Sequence, residues 1–551
     1  MKNNFIVLIA FISTLAVCKG QSKHPENNIT DAAISAHIKK LASDEFVGRK
    51  PGTKGEELTT KYIAKHLGKS NIDPANGSSY FQNFTIKEIE FLSSSNLQIY
   101  SDNGKRSYKY GKDFHAKTTM EVNQKVTTSK AELIFVGFGI TSSGYKWDDY
   151  KNVDVKGKIV VVLKGDPGMH TKNPKLFNGE RPSYYGGIKY KKKEALKRGA
   201  VGLLVIQGKD QDWTTINQQK NPLFPGNLSD LASDGLHFSG FISKTLMKQL
   251  IINSGSNFDP TEKGLKKEFT PISLKSKASI TLKSTVKNKI NTKNVVGILK
   301  GSKRPNEYII YTAHWDHIGT RSGHLGKDSI FNGAIDNASG TAMQLEVAKA
   351  FSKMNKKPER SIIFLFTSAE EMGLFGAEYY ANNPLYPLNK TACVINADAS
   401  FAVEKMRMVI NVANGFTEMD TLVSIAAKKI GRGIYKGDPN TPPPGNVFKR
   451  SDHFPFVKKG VPAVWNVGNF DPINGDKSQE AKIGEFIRKH YHKVTDEYYD
   501  GFIASNITYD AQLNFLTGLE IANSSSWPNW KENTYFSEYK AVRDKSMSSR
   551  K

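Results

Sequence analysis

Histidine and acidic side chains that could bind a metal ion follow apolar runs in the second half of the chain. His314 and Asp316 follow the run 308–311, Glu370 and Glu371 follow the run 361–366, and Asp398 follows the run 392–397. An Asp two positions from a His can orient the imidazole of a metal ligand, although surface His–Asp pairs share this pattern. Adjacent carboxylates are costly to hold in a cleft unless a cation or a shared proton relieves their repulsion. On an open surface the same two glutamates would cost little.

Two further residues extend this set. Asp336 lies in the segment 332–340, which is rich in Gly, Ala and Ser, and His492 lies in the polar segment 490–496. Asp336 could cap a helix N-terminus or bridge two cations. Nitrogen and carboxylate ligands without thiolate suit zinc best among divalent ions, with cobalt or manganese as possible substitutes.

The elements around these residues predict that they converge. After Asn294 the pattern alternates between strands and helices, with strands at 308–312, 361–367, 392–397 and 463–467 and helices at 340–351, 374–380 and 417–430. Nearly continuous apolar strands alternating with helices favour an α/β fold with a mainly parallel central sheet and helices on both faces. Ligands of such sheets bind beyond the carboxyl ends of the strands, and the polar clusters lie at those ends.

The first half of the chain predicts a second unit. Amphipathic helices are expected between residues 31 and 67, and short β-rich runs such as 133–136, 158–163 and 201–206 begin after residue 126. We therefore expect this plan: a signal peptide at 1–20, catalytic-domain segments at 27–126 and 285–525, an inserted domain at 127–284, and a basic polar tail at 526–551.

The N-terminus predicts export. Lys2 precedes the apolar run 5–17, which has the length of a secretory signal and is too short to span a bilayer comfortably. Two processing schemes remain open: lipid anchoring at Cys18, or ordinary cleavage before Gln21. Cys18 and Cys393 are the two cysteines, so the fold cannot depend on an intramolecular disulfide after ordinary cleavage.

The net charge of +25 comes from 78 Lys and Arg residues against 53 Asp and Glu residues. The basic residues are spread along the chain, and no arginine-and-aromatic pattern of a nucleic-acid module accompanies them. A solvated basic surface is the simplest interpretation, and nucleic acid is not expected as a partner.

These motifs closely resemble the family of two-zinc exopeptidases that includes secreted bacterial aminopeptidases, plasma glutamate carboxypeptidase and the non-catalytic transferrin receptor. The resemblance implies a phosphorylase/zinc-exopeptidase-like fold and peptide substrates. It also implies that His314 and Asp398 ligate one zinc ion, that Glu371 and His492 ligate a second, and that Asp336 bridges the two.

Further roles follow from the same resemblance. Glu370 would be the general base that takes a proton from the metal-bound water and passes it to the leaving amine. Asp316 would support His314 from behind, and Asp452 and His453 would line the substrate cleft, unless they only cap a helix. Residues 41–53 look like the family's N-terminal signature, and the insert is similar to a protease-associated domain that limits access to peptide ends.

Several functions remain open. We favour an aminopeptidase over a carboxypeptidase or dipeptidase with the same zinc centre. The zinc chemistry serves either chain end, and only the docking group differs: carboxylates for an α-amine, Arg or Lys for an α-carboxylate. Arg432, Lys449 and Arg450 are the candidates to dock an α-carboxylate instead, although surface arginines are the default interpretation. A glutaminyl cyclase needs no bridged pair of metals, and a non-catalytic binding protein would be expected to lack ligands that this chain retains.

Overall fold

The structure is a computed structural model that describes residues 24–118, 126–142, 144–177, 179–180, 183–207, 223–225, 236–321, 328–436, 445–532 and 537–548. The predicted signal peptide and Cys18 lie outside these residues. Within them, no helix combines the length and the apolar character that crossing a membrane requires.

Strands make up two large sheets and two small hairpins. Their bounds are β1 (Asp73–Pro74), β2 (Phe81–Phe91), β3 (Asn96–Ser101), β4 (Gly104–Lys109), β5 (Phe114–Lys117), β6 (Val126–Phe135), β7 (Thr141–Ser142), β8 (Trp147–Asp148), β9 (Ile159–Leu163), β10 (Gly202–Ile206), β11 (Leu223–Pro225), β12 (Phe238–Ile242), β13 (Ile272–Leu282), β14 (Ser284–Leu299), β15 (Arg304–His314), β16 (Gly319–Thr320), β17 (Ile330–Phe331), β18 (Arg360–Thr367), β19 (Thr391–Asn396), β20 (Met406–Asn411), β21 (Gly433–Ile434) and β22 (Ala463–Pro472).

Helices surround the sheets. The α-helices are α1 (Asp31–Leu41), α2 (Lys54–Lys69), α3 (Pro167–Thr171), α4 (Ile188–Lys197), α5 (Lys244–Asn253), α6 (Pro260–Gly264), α7 (Gly340–Ser352), α8 (Phe375–Asn382), α9 (Met419–Lys429), α10 (Gly445–Phe448), α11 (His453–Lys458), α12 (Ser478–Lys489), α13 (Ser505–Asn523) and α14 (Ser537–Ser548). Each helix and strand that the alternating pattern predicted is present, with ends within a few residues of the prediction.

The larger sheet has the order β11-β2-β14-β18-β15-β19-β22-β20-β21. Its four central strands, from β18 to β22 in this order, run parallel, whereas β14 and β20 pair antiparallel on either flank. Every residue of β18 and β19 is buried, so helices cover both faces of the centre. The fold is therefore the predicted α/β type, parallel in the centre and antiparallel at its flanks.

The second sheet has the order β4-β3-β13-β6-β9-β10-β12-β5 and its own hydrophobic core. We predicted that this unit begins at residue 127, but β3, β4 and β5 already belong to its sheet. The boundary is wrong because β3 pairs with β13, which lies almost two hundred residues further along the chain. The second sheet thus takes in residues 96–117 as well.

The C-terminal segment also differs from the expected polar tail. Trp530 is buried, and the fully buried Arg543 of α14 donates hydrogen bonds to the backbone oxygens of Thr391 and Ala392 at 2.9 and 3.1 Å. These contacts fasten the segment to the start of β19. The polar composition of this segment did not indicate that Trp530 and Arg543 are buried.

Candidate metal and substrate site

The parallel strands bring the predicted metal ligands to one edge of the larger sheet. His314 is the last residue of β15, while the Glu370–Glu371 pair and Asp398 follow the ends of β18 and β19, which flank β15 on either side. Ala369 and Ala399, next to these acids, have φ angles of 57° and 50°. Left-handed backbone at non-glycine residues is costly and is concentrated at functional sites.

All five predicted ligands lie together around Asp336. His314 Nε2 is 3.4 Å from Asp336 Oδ1 and 3.3 Å from Asp398 Oδ1. On the opposite side, His492 Nε2 is 3.1 Å from both Asp336 Oδ2 and Glu371 Oε2. Asp336 therefore offers one oxygen to each of two clusters, which is the arrangement expected of a bridging carboxylate.

The charges in this cluster fit cations. Burial raises the pKa of Glu370 well above its ordinary value, and neighbouring carboxylates add to the rise against the effect of His314. Burial also acts to lower the pKa of His314, but Glu370 and Asp398 outweigh it and raise that pKa well above normal. Without an ion, these groups recruit protons to offset their negative charge, and a divalent cation would replace those protons. The donor set of imidazole and carboxylate suits zinc.

Asp316 contacts His314, as predicted, but mainly through its backbone oxygen. His314 Nδ1 is 3.2 Å from the backbone oxygen of Asp316 and 3.8 Å from its carboxylate. The carboxylate instead accepts a hydrogen bond from the backbone N–H of Glu370 at 3.0 Å and a longer one from Glu371 at 3.4 Å. Burial raises the pKa of Asp316 to about 7. Asp316 thus positions the turn that carries the two glutamates.

Glu370 lies beside this cluster and faces a cavity. Its Oε2 lies 3.9 Å from His314 Nε2, and its side chain is largely buried. The cavity has a volume of about 280 Å³, and besides Glu370 it is lined mainly by apolar side chains, including those of Phe401, Val412, Trp465 and Phe486. A carboxylate beside a metal centre and open to an apolar cavity is placed to exchange protons with a bound ligand.

Two residues near the candidate metal site were not predicted from the sequence. His317 is fully buried, and its Nδ1 lies 2.6 Å from Glu371 Oε1, which places it in one cluster with Asp336 and Glu371. Tyr491 lines the cavity and stacks on His492 with ring centroids 3.9 Å apart. Burial, with nearby carboxylates, raises the pKa of Tyr491 well above normal, so its phenol remains a hydrogen-bond donor. Tyr491 is next to the predicted ligand His492 in sequence, and His317 follows His314 by three positions, which was the available signal.

Arg49 joins the N-terminal segment to the site. Its side chain is fully buried and donates to four backbone oxygens: from Nε to Trp315 at 2.9 Å, from Nη1 to Leu41 at 2.8 Å and to Asn332, and from Nη2 to Gly333 at 2.8 Å. Burial lowers the pKa of Arg49 to about 10, against the nearby acids. One cation thus holds both the loop after His314 and the loop before Asp336.

The backbone around Asp336 is held from two further sides. Asp496 accepts hydrogen bonds from the N–H groups of Ile335 at 2.9 Å and Asp336 at 3.0 Å. Asn337 donates to the backbone oxygen of Ala397 at 3.0 Å, next to Asp398. The bridging residue is therefore fixed relative to the ligands on β19 before any ion binds.

Asp452 and His453 do not line the cleft, so that expectation is wrong. Both are fully buried: Asp452 accepts a hydrogen bond from Thr367 Oγ1 at 2.6 Å, and His453 packs against Phe448 with ring centroids 4.8 Å apart. The neighbouring Ser451 makes the link to the site, because its hydroxyl donates to Asp398 Oδ2. The start of α11 thus faces the core behind the cavity, which its polar sequence did not reveal.

The three basic residues that were candidates to dock an α-carboxylate lie in different surroundings. Arg432 is fully buried and pairs with Asp510 at 2.8 Å. Lys449 Nζ lies 3.5 Å from the ring centroid of Tyr184, a residue of the second-sheet unit. Arg450 lines the cavity that Glu370 faces.

The fold and the site together define an α/β protein with a histidine-and-carboxylate metal centre at the carboxyl edge of its sheet. Residues 294–506, which carry the candidate metal ligands, match the model of peptidase family M28.

Parts of the chain are also similar to individual proteins. A stretch of 162 residues, 28% of the chain, is 33% identical to aminopeptidase NAALADL1 of Rattus norvegicus. Another alignment of 218 residues, 35% of the chain, is 34% identical to a probable zinc metalloprotease of Pyrenophora tritici-repentis. These alignments span only 20% and 48% of the relatives' own lengths. An aminopeptidase structure from Aneurinibacillus sp. strain AM-1 aligns with a TM-score of 0.44 and 19% identity over 91% of this chain and 96% of that one.

Proposed function

We propose that the protein is an exported, zinc-dependent exopeptidase that removes N-terminal residues from peptides. The observation that carries the proposal is the arrangement around Asp336: a His–carboxylate pair on each side of a shared Asp, with Glu370 beside it facing a cavity. This arrangement fits two zinc ions and a separate general base. Peptides are the substrates that the family implies.

The chain's own residues divide the work of hydrolysis. Zinc, when bound, supplies Lewis acidity and lowers the pKa of water to roughly 7. Glu370 takes a proton from the attacking water and passes it to the leaving amine. Tyr491 can donate its phenolic hydrogen to the oxygen on which negative charge develops, because its raised pKa keeps it protonated. The buried Asp316 keeps Glu370 in place through its backbone.

The charge of the cavity favours cleavage at the N-terminus of a peptide. Its lining includes the carboxylates of Asp336, Glu370 and Asp398, and an oxygen left uncoordinated can accept hydrogen bonds from a substrate α-ammonium group. The apolar remainder of the lining suits one hydrophobic side chain. Removal of single residues with apolar side chains follows from this combination.

The second-sheet unit is proposed to act as a protease-associated domain that shades the site. The contact between Tyr184 and Lys449 supports this role, because Lys449 is the direct neighbour of the cavity residue Arg450. Export is proposed from the N-terminal apolar run, either with lipid anchoring at Cys18 or with cleavage before Gln21. Mass spectrometry of the mature protein tests export, and finding Met1 retained would refute it.

Peptide panels test the activity. Release of free amino acids is measured from unblocked, N-acetylated and C-amidated peptides, using zinc-loaded wild type, a chelator-treated sample and Glu370→Ala. The proposal expects cleavage that needs a free N-terminus, still occurs when the C-terminus is amidated, and disappears in both control samples.

Other outcomes point to the alternatives. Cleavage that ignores N-acetylation but requires a free carboxylate would indicate a carboxypeptidase. Cyclisation of an N-terminal glutamine without peptide cleavage would indicate a glutaminyl cyclase. No turnover with zinc bound would indicate a non-catalytic binding protein.

A further inference from the structure

The cavity beside Glu370 has a cationic side chain, that of Arg450, in its lining. Arg450 alone among the described residues brings a lysine or arginine side chain into its lining. The guanidinium of Arg450 makes no hydrogen bond or ion pair with any residue that the structure describes, whereas the other two basic candidates are engaged by Asp510 and by the ring of Tyr184. An arginine that faces a ligand cavity, and that none of the described residues pairs with, is available to a ligand anion.

The backbone of Arg450 is fixed relative to the metal centre. Its N–H donates to the backbone oxygen of Val447 at 3.0 Å. The next residue, Ser451, is fully buried, accepts a hydrogen bond from Asn396 at 2.8 Å and donates to Asp398. Arg450 is therefore one residue away from a side chain that touches a predicted metal ligand, and its own exposed side chain reaches the cavity lining from this anchored backbone.

The chemistry of this cation selects its partner. A planar guanidinium binds a carboxylate through two parallel hydrogen bonds, a geometry that lysine cannot reproduce. Arg450 and Tyr491 line the same cavity. A carboxylate on Arg450 would thus belong to the same ligand whose carbonyl lies near Tyr491. The cavity volume of about 280 Å³ is at the lower end for ligand pockets, which suits a peptide of about two residues.

We propose that Arg450 binds the free α-carboxylate of a short peptide, so that dipeptides with an apolar N-terminal residue are the preferred substrates. The apolar lining receives the N-terminal side chain, the scissile carbonyl lies at Glu370 and the metal centre, and the carboxylate ends on Arg450. This inference rests on the proposed exopeptidase function and adds the length and chain-end chemistry of the substrate.

Three peptides separate the possible sources of the carboxylate. Leu-Gly carries a terminal carboxylate, Leu-Gly-NH2 carries none, and Leu-Asp-NH2 carries one only on its side chain. KM and kcat are measured for each peptide with zinc-loaded wild type, Arg450→Ala, Arg450→Lys and the matched control Arg488→Ala, which removes an exposed arginine outside the cavity lining.

The expected result is a KM for Leu-Gly about 10- to 100-fold below that for Leu-Gly-NH2 in wild type and Arg488→Ala, as a charge-assisted bidentate contact implies. Arg450→Ala should abolish this difference by raising the KM for Leu-Gly alone, and Arg450→Lys should keep part of it. Calorimetric titration of the inactive Glu370→Gln variant, with and without Arg450→Ala, should show the same preference in Kd.

Other results overturn the inference. Equal KM values for Leu-Gly and Leu-Gly-NH2 in wild type would show that Arg450 does not bind the α-carboxylate. Equal increases of KM for both peptides in Arg450→Ala would show the same. A KM for Leu-Asp-NH2 as low as that for Leu-Gly would assign Arg450 to acidic side chains. If wild type hydrolyses none of the three peptides, the calorimetry still decides the role of Arg450, and the proposed exopeptidase activity fails separately.

Discussion

Replacing Arg49 should loosen the metal site and destabilise the fold at the same time. Arg49→Met keeps much of the side-chain volume but removes hydrogen bonds to four buried backbone oxygens. A buried polar group left without a partner costs about 1–3 kcal/mol. Because neighbouring losses are not additive and water can enter part of the gap, we expect a loss of about 4 kcal/mol. Arg49→Lys can keep at most three donors and should lose about half as much.

Denaturation with urea in the presence of a chelator measures this loss without a contribution from bound metal. Arg407→Met is the matched control, because Arg407 lies in β20 of the larger sheet but its side chain is half exposed and pairs with the half-exposed Asp471. Such a surface pair contributes about 0–1 kcal/mol. The reasoning is refuted if Arg49→Met and Arg407→Met unfold within about 1 kcal/mol of each other.

Zinc affinity provides the second measurement on the same variants. Arg49 holds the loops beside His314 and Asp336, and losing support behind metal ligands typically weakens binding by about 10- to 100-fold. Competition with a chromophoric chelator should show this weakening in Arg49→Met and not in Arg407→Met. A stability loss with unchanged zinc affinity would mean that Arg49 supports the fold but not the site.

Three more predictions follow from buried groups. Burial lowers the pKa of His453 to about 3, so below about pH 6.5 the unfolded chain binds a proton that the folded chain excludes. Wild type should therefore lose about 2 kcal/mol of unfolding free energy between pH 6.5 and 5 relative to His453→Gln. Parallel curves of unfolding free energy against pH for the two proteins would contradict this. Gly518→Ala should fail to fold or unfold at much lower urea than wild type, because a Cβ there would lie 1.8 Å from the Tyr311 hydroxyl oxygen; the variant Tyr311→Phe/Gly518→Ala should recover part of the loss, and no recovery would point to another cause. Burial raises the pKa of Cys393 to about 12, so iodoacetamide should modify it only in denaturant, and rapid labelling of the native protein would show that its strand opens.

The alternating part of the fold was predictable because its strands are apolar on both faces. The run at 361–366 cannot be mistaken for a half-exposed strand, and all of β18 is buried. Strands β2 and β14 were not recognised, since Lys87, Glu88 and Glu90 on one and a lysine-rich run on the other resemble surface loops. Their pairing joins residues some two hundred positions apart, and no local pattern records such a partner.

The metal ligands were predictable because parallel strands carry their end residues to one edge. The residues that hold those ligands were harder to find. Arg49 reaches oxygens 266 and 284 positions away in sequence, and the roles of Asp496 and Asn337 depend equally on turns that meet only in the folded chain. The error at Asp452 has the same origin, because proximity to the site in sequence does not determine which way a short helix faces.

The strands that lead into and out of the second-sheet unit are themselves neighbours in the larger sheet. Phe91 at the end of β2 is paired with Ser284 at the start of β14, so a two-residue turn could in principle replace everything between them. Strand β11, however, lies within the stretch that such a turn would replace, and it pairs with the other side of β2. Removing that stretch would leave β2 as an exposed edge strand that could pair with a strand from another molecule. The intervening unit therefore also protects the larger sheet against self-association, and a minimal version of this protein would need lysine or proline on the outer side of β2.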